Sequence, residues 1–253
     1  MAFLHNNEGY GKASHFPDLY SDGLRSLVTT SNEKQVTADY LLSQRLGRRV
    51  LDIGAGNGEI ARLLKPRPMD QYVAVERNPV LVEQLGRLGV GVLEGVFPEI
   101  RPDGIFDTVF ASHSLPVQPQ AYKPFVEAAR QHVAPDGSLS IITFSDLPSD
   151  YATIMNKIGL PRDTSGSHVS ALEAHLLQQG DVVSQTLRAE LHTPSLDELV
   201  AAIAFVGSTN GNPEKLRHIT DELKSNPGLL DSFREEDVYA FPLDSQAFTL
   251  RFN

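Results

Sequence analysis

The chain has 253 residues, and 32 Asp and Glu against 22 Lys and Arg leave a net charge of −10. Hydrophobic residues make up 41% of it, enough to fill a core, which excludes disorder as the main state. So acidic a balance works against nonspecific attraction to nucleic acid or anionic lipid, which need clustered cations, and the absence of cysteine excludes disulfides, thiolate zinc sites and cysteine nucleophiles together.

The N-terminal stretch has no basic segment followed by an apolar one, and nowhere does an apolar run approach the ~18 residues of a membrane span. The expectation is a soluble, cytoplasmic protein with neither a membrane nor a nucleic-acid partner and an undetermined oligomeric state. Between Tyr20 and Leu46, Leu24, Leu27 and Val28, then Val36, Tyr40 and Leu41, recur at helical spacing around the polar run Thr29 to Lys34. Two short helices ahead of the main domain are predicted there, forming a helical cover over residues 1–46.

From Arg49 to Phe144 short apolar runs alternate with helical patterns. Strands are predicted at Val50 to Ile53, Tyr72 to Val75, Val90 to Leu93, Phe106 to Phe110 and Leu139 to Phe144. Helices are predicted up to Leu64, from Pro79 to Leu88 behind the N-cap Asn78, and from Pro119 to Val133, with Pro135-Asp136-Gly137 as a turn. This alternation argues for right-handed βαβ units on a parallel sheet covered on both faces. Later elements are helices near Val169 to Gln178 and Glu214 to Leu223, a helix opened by the capping box Ser195 to Glu198, and strands in Val182 to Leu191 and Ala240 to Phe252. The fold class read from this order is α/β: a doubly wound, seven-stranded, mostly parallel sheet with N-terminal helices. A domain over residues 47–253 contains a helical insert at about 195–237.

The segment Val50-Leu51-Asp52-Ile53-Gly54-Ala55-Gly56-Asn57-Gly58-Glu59 takes a buried strand into a helix through a glycine-dense turn. Glycines there allow positive φ and remove the Cβ atoms that would keep a ligand off the backbone. A dinucleotide fingerprint G-x-G-x-x-G needs glycine where Glu59 stands, and Asp52 and Glu59 on either side of the loop repel a pyrophosphate but suit a ligand carrying an ammonium and a sulfonium. Glu76, eighteen residues beyond Gly58, closes the next strand beside Arg77, where the fold places the acid that holds ribose hydroxyls. The combination fits S-adenosylmethionine better than NAD.

The pattern D-x-G-x-G-x-G with an acid closing the following strand resembles motifs I and II of the class I SAM-dependent methyltransferases, over about Arg49 to Phe144. The resemblance implies cofactor contacts at Asp52, Gly54, Ala55, Gly56, Gly58, Glu76 and Arg77, and further along at Ser112. Such enzymes often carry an Asp near the end of the third strand for the adenine amino group; here Leu93-Glu94-Gly95 stands in its place, leaving Glu94 or a backbone carbonyl beside Gly95 for that contact. The fourth strand ends in Ala111-Ser112-His113-Ser114-Leu115-Pro116, without the Asn/Asp-Pro-Pro-aromatic signature of many base-modifying enzymes. His113 is either a proton acceptor or a hydrogen-bonded loop histidine.

The run from Tyr20 through Arg25 to Ser31-Asn32-Glu33-Lys34-Gln35 resembles the N-terminal segment of the histamine N-methyltransferase family. That resemblance implies a small-molecule acceptor with an amine or heterocyclic nitrogen, Tyr20 beside it, Glu33 paired with its amine, His113 at the position of that family's Gln, and the helical insert as a wall. From the residues alone, Thr30-Ser31-Asn32-Glu33 also matches a capping box, in which Glu33 only reaches back to a backbone N–H. Asp146, Tyr151 and Asp244 are further acceptor-pocket candidates. The other histidines, including His168 and His175 seven residues apart, show no metal spacing, and no metal is expected. The rival readings are an O-methyltransferase with His113 as base and a SAM-binding partner protein without turnover.

Overall fold

In the computed structural model, which describes residues 17–116, 119–145, 149–160, 167–208 and 212–252, the alternating apolar runs form one large sheet. Its strands are β1 (Arg49–Ile53), β2 (Gln71–Glu76), β3 (Gly91–Glu94), β4 (Phe106–Ser112), β5 (Val133–Phe144), β6 (Asp181–Leu187) and β10 (Ser245–Arg251), in the order β3-β2-β1-β4-β5-β10-β6. The first five run parallel, and β10 is antiparallel to both β5 and β6. A smaller antiparallel sheet joins β7 (Glu190–Thr193), β9 (Val238–Pro242) and β8 (Arg234–Glu235).

Successive residues of the central strands feed opposite cores, as a strand's period of two requires. Leu51, Val109 and Ile141 pack under α5 (Tyr122–Arg130) and α7 (Ser167–Leu177). Their neighbours Val50, Phe110 and Ile142 pack under α2 (Glu33–Ser43) and α3 (Glu59–Leu64), with Leu85 of α4 (Pro79–Gly86). Both faces are therefore buried, which explains near-continuous apolar strands in place of alternating ones. A third core belongs to the later elements: α6 (Asp150–Lys157), α8 (Leu196–Gly207), α9 (Pro213–Ser225) and the small sheet converge on Leu191, Ile203, Ile219 and Phe241, and Leu27 of α1 (Pro17–Thr30) joins them.

Three local expectations are corrected. Val182 to Leu191 is two strands, because Leu187 and Leu191 point into different cores and the chain changes sheet between them. Ala240 to Phe252 divides in the same way, with Phe241 in the third core and Phe248 under α5 and α7. The expected turn at Pro135-Asp136-Gly137 is instead an irregularity within β5, where pairing slips between Phe106 and Thr108 and Asp136 takes φ 63°. Elsewhere the caps form as read. Asn78 accepts from Val80 N and Leu81 N, and Ser195 accepts from Glu198 N. The Glu198 carboxylate does not return to the Ser195 amide; both bond the Thr193 hydroxyl, which relays the box.

The Thr30 capping box does not form. Helix α1 continues through Thr30, whose hydroxyl donates to the carbonyls of Ser26 and Leu27, and Asn32 is the N-cap of α2. Glu33 is thereby the first residue of α2 and is free to turn inward.

Candidate functional site

A cavity of about 310 Å³ lies beyond the carboxyl ends of β1, β2, β4 and β5, where the strand order reverses between β1 and β4. Open α/β sheets bind their ligands at this switch point. Tyr20, Leu24 and Leu27 of α1 roof it together with Phe205 and Val206 of α8, and Tyr20 meets Phe205 edge-on with ring centroids 5.3 Å apart.

The glycine loop forms one wall. Gly54, Gly56 and Gly58 all take positive φ, of 75°, 59° and 77°. A Cβ on Gly56 would meet only the tip of Leu24 at 3.2 Å across the cavity, whereas one on Gly58 would strike Leu88 at 2.5 Å and Leu85 at 2.8 Å. Gly56 leaves ligand space; Gly58 serves the packing of α3 on α4 and does not line the cavity. Four of the loop's amides are already engaged: those of Gly54 and Ala55 donate to Val75 O, that of Gly58 to Ala55 O, and that of Gly56 to Glu76 Oε2 at 2.8 Å. A phosphate cradle leaves such amides free. This loop presents a shape, and its charge comes from side chains.

Glu76, 7% exposed, binds more of its own chain than the sequence reading anticipates. Besides Gly56 N on Oε2, its Oε1 accepts from Arg77 N and Asn78 N, each at 2.8 Å. Of the about four acceptor positions on a carboxylate, three are used, so one remains on Oε2 for a ligand hydroxyl. Asn78 extends the anchorage, donating from Nδ2 to Pro17 O and tying α1 over the strand end.

Asp52, 1% exposed, accepts from the Tyr72 hydroxyl at 2.8 Å. Burial pushes its pKa up to about 7; the Tyr72 hydrogen bond and the Lys34 ammonium oppose the rise, and the Glu76 charge adds to it. A carboxyl poised there gains most from a cationic ligand. Tyr20, half-buried, has its pKa raised to about 12 by burial and by Glu76, with Arg77 opposing, and stays a neutral donor. Glu59 departs from expectation: its carboxylate pairs with Arg62 outside the cavity, so the acids lining the cavity are Asp52 at the end of β1 and Glu76 at the end of β2.

On the β4 side, His113 adopts φ 54°, stacks on Phe144 with centroids 3.9 Å apart, and faces the cavity. Its Nε2 lies 2.9 Å from Glu33 Oε1, which also accepts from Thr37 Oγ1 at 3.0 Å, while Lys34 Nζ sits 3.0 Å from Glu33 Oε2. Burial alone would raise the pKa of Glu33, but Lys34 and His113 together hold it well below the usual carboxylate range, so it is ionised. In the neutral imidazole an ionised partner at Nε2 makes that nitrogen the donor and leaves the lone pair on Nδ1, which is buried and has no hydrogen-bond partner among the described residues. The Ser112 hydroxyl next to it is likewise buried and unpartnered.

Of the residues read from sequence, Tyr20, Asp52, Gly54, Ala55, Gly56, Glu76, Arg77, Gly95, Ser112 and His113 line this cavity. Glu33, only 2% exposed, does not; it reaches the cavity through His113 and Lys34. Glu94 is exposed and does not line the cavity, whereas its neighbours Gly95, Val96 and Phe97 do. Tyr151 and Asp244 line a second cavity behind Phe144 and Val206, and Asp146 lies outside the described residues. Sequence reasoning missed Lys34, Phe144 and Phe205. Lys34 stood inside the quoted segment beside Glu33, while Phe205 carries no local signal because the insert brings it in from far along the chain. Among the described residues no group of three or more His, Asp or Glu is placed to hold a metal, and no helix is long and apolar enough to cross a membrane.

Two solved structures share this architecture. A SAM-dependent methyltransferase from Thiobacillus denitrificans, in complex with S-adenosyl-L-homocysteine, is similar at 19% identity and a TM-score of 0.52, with 90% of this chain and 91% of that one covered. Another from Geobacter sulfurreducens, also in complex with S-adenosyl-L-homocysteine, is similar at 19% identity and a TM-score of 0.50, with 85% and 90% covered. At such identities the likeness establishes the fold. No curated protein matches the chain. A family model described as a methyltransferase domain matches residues 32–180, which take in the glycine loop, Glu76, and His113 with its partner Glu33, and the chain belongs to that family.

Proposed function

We propose that this protein transfers a methyl group from S-adenosylmethionine to a small-molecule acceptor, with an amine or heterocyclic nitrogen as the acceptor atom. The observation that carries the methyl-transfer reading is the cavity at the switch point. A loop whose glycine and Ala55 amides are satisfied internally closes one side, buried Asp52 and Glu76 supply charge, and a carboxylate-bound histidine faces them across the space. These residues fit an adenosyl sulfonium with an amino-acid tail: space over Gly56, one open acceptor position on Glu76, and an acid at Asp52 for an ammonium. When bound, S-adenosylmethionine supplies an activated methyl group on a cationic sulfur.

The chain's part is to align the acceptor lone pair with the sulfur–methyl axis and to take up the acceptor's proton. Tyr20 and Phe205 restrict approach from the roof, and His113, stacked on Phe144, is the lining residue assigned to receive the proton. Support for nitrogen comes from the resemblance at Tyr20 to Gln35 and from a carboxylate behind the acceptor side of the cavity. One observation favours a hydroxyl acceptor instead: Glu33 is committed to His113, Lys34 and Thr37, in the manner of an acid that fixes the tautomer of a histidine base. The test is incubation with ¹³C-methyl-labelled S-adenosylmethionine and a metabolite extract, read by NMR. An N-methyl product supports the nitrogen reading and an O-methyl product the second one. Binding of the cofactor without any acceptor-dependent product would leave a SAM-binding partner protein.

A further inference from the structure

The cavity contains a cation that the methyl-transfer reading leaves without a task. Lys34 lines the cavity with a side chain 15% exposed, and among the described lining residues only Lys34 and Arg77 are lysine or arginine. The two stand at opposite ends. Arg77 follows Glu76 at the end of β2, on the side of β3 and Gly95, where a ribose and base would lie. Lys34 sits by Glu33 and, through it, His113 at the end of β4, and its charge acts on Asp52 at the end of β1.

We propose that Lys34 is the anchor for the α-carboxylate of the cofactor's amino-acid tail. The inference rests on the S-adenosylmethionine reading and names the polarity of the tail. With the ribose at Glu76, the tail extends along Gly54 and Gly56 toward β4 and arrives among Asp52, Glu33 and their neighbours. A carboxylate arriving beside Asp52 and Glu33 meets repulsion unless a cation receives it. Lys34 has three N–H donors, and its Glu33 contact leaves others for an incoming carboxylate. Asp52 is left for the α-ammonium, so the zwitterionic end of the cofactor meets one charge of each sign. The same lysine holds Glu33, which in turn holds His113, so the tail's carboxylate competes with Glu33 for the ammonium.

The test compares S-adenosylhomocysteine with its decarboxylated analogue, S-adenosyl-3-thiopropylamine, by calorimetry. Wild type is expected to prefer the carboxylate-bearing ligand by about tenfold or more, the scale of a charge-assisted hydrogen bond. Lys34→Met should bring the two affinities within about threefold of each other, and Lys34→Arg should restore much of the preference. Because Lys34→Met strips buried Glu33 of its counterion, the double variant Glu33→Gln/Lys34→Met provides a folded background with the same expected loss. Glu33→Gln alone, which releases Lys34, should tighten S-adenosylhomocysteine and leave the decarboxylated ligand unchanged. An undiminished preference in Lys34→Met or in the double variant overturns the proposal while leaving the cofactor reading intact. Failure of wild type to bind S-adenosylhomocysteine overturns both.

Discussion

Asp52→Asn probes the electrostatics of the cavity most informatively. The Asp52 carboxyl is buried, and its pKa rises from 3.8 to about 7 because burial penalises the charged form. If the bound ligand presents an ammonium to it, binding requires the ionised form, and apparent affinity should climb about tenfold per pH unit below 7 and level off above. From pH 5 to pH 8 the gain is about a hundredfold. The amine and carboxylate of S-adenosylhomocysteine keep their charges across that window, so the slope belongs to the protein. Calorimetry at pH 5, 6, 7 and 8, in two buffers of different ionisation enthalpy, should also register a released proton below pH 7. Stability moves the other way. A carboxyl whose folded pKa is raised contributes a term that is lost as pH rises from 3.8 through about 7, worth up to about 4 kcal/mol. Asp52→Asn should flatten both dependences. A wild-type affinity that is level from pH 5 to pH 8, or a slope that survives in Asp52→Asn, would refute the reasoning.

Gly56→Val should abolish S-adenosylhomocysteine binding because the new side chain enters ligand space near Leu24, while circular dichroism still shows a folded chain whose melting temperature is lowered by the strain of a side chain at φ 59°. Gly58→Val should instead lower the melting temperature sharply, since it strikes Leu85 and Leu88. Glu76→Ala frees three amides as well as removing a ligand acceptor, so S-adenosylmethionine binding should weaken by roughly ten to a hundredfold together with a drop in thermal stability. Glu33→Gln should cost roughly 2 kcal/mol at neutral pH in denaturant titrations. The depressed pKa of Glu33 gives a stabilisation present above about 4.5 and lost as pH falls, so the variant should also lose that acid-side dependence. Acceptor KM unchanged within twofold in Glu33→Gln, with an altered pH profile of kcat, would assign Glu33 to His113 and remove the amine-pairing role.

The parallel sheet was legible because apolar runs such as Val50 to Ile53 and Phe106 to Phe110 alternate with capped helices, and Asn78-Pro79 marks a boundary by local chemistry alone. The glycine loop was legible for the same reason: positive φ at Gly54, Gly56 and Gly58 requires that residue type wherever the chain folds. What each glycine serves was hidden, since Gly56 faces a cavity and Gly58 faces Leu85, both set by elements distant in sequence. Glu33 shows the limit most clearly. Thr30-Ser31-Asn32-Glu33 satisfies the spacing of a capping box, but Thr30 remains in α1 and bonds backward, which turns Glu33 to a histidine eighty positions away. Strands at 182–191 and 240–252 were each read as one because propensity does not register a change of sheet. Tyr151 and Asp244 were placed by order along the chain, and the intervening wall of Phe144 and Val206 puts them in a separate cavity.

Calorimetric titration of the purified chain at pH 8 with S-adenosylmethionine, and separately with NAD, tests the central claim most directly. A loop whose glycine and Ala55 amides are spent internally, flanked by buried Asp52 and Glu76, is predicted to bind S-adenosylmethionine saturably at one site per chain and to give no heat with NAD. Saturable binding of NAD with none of S-adenosylmethionine would contradict the account at its root.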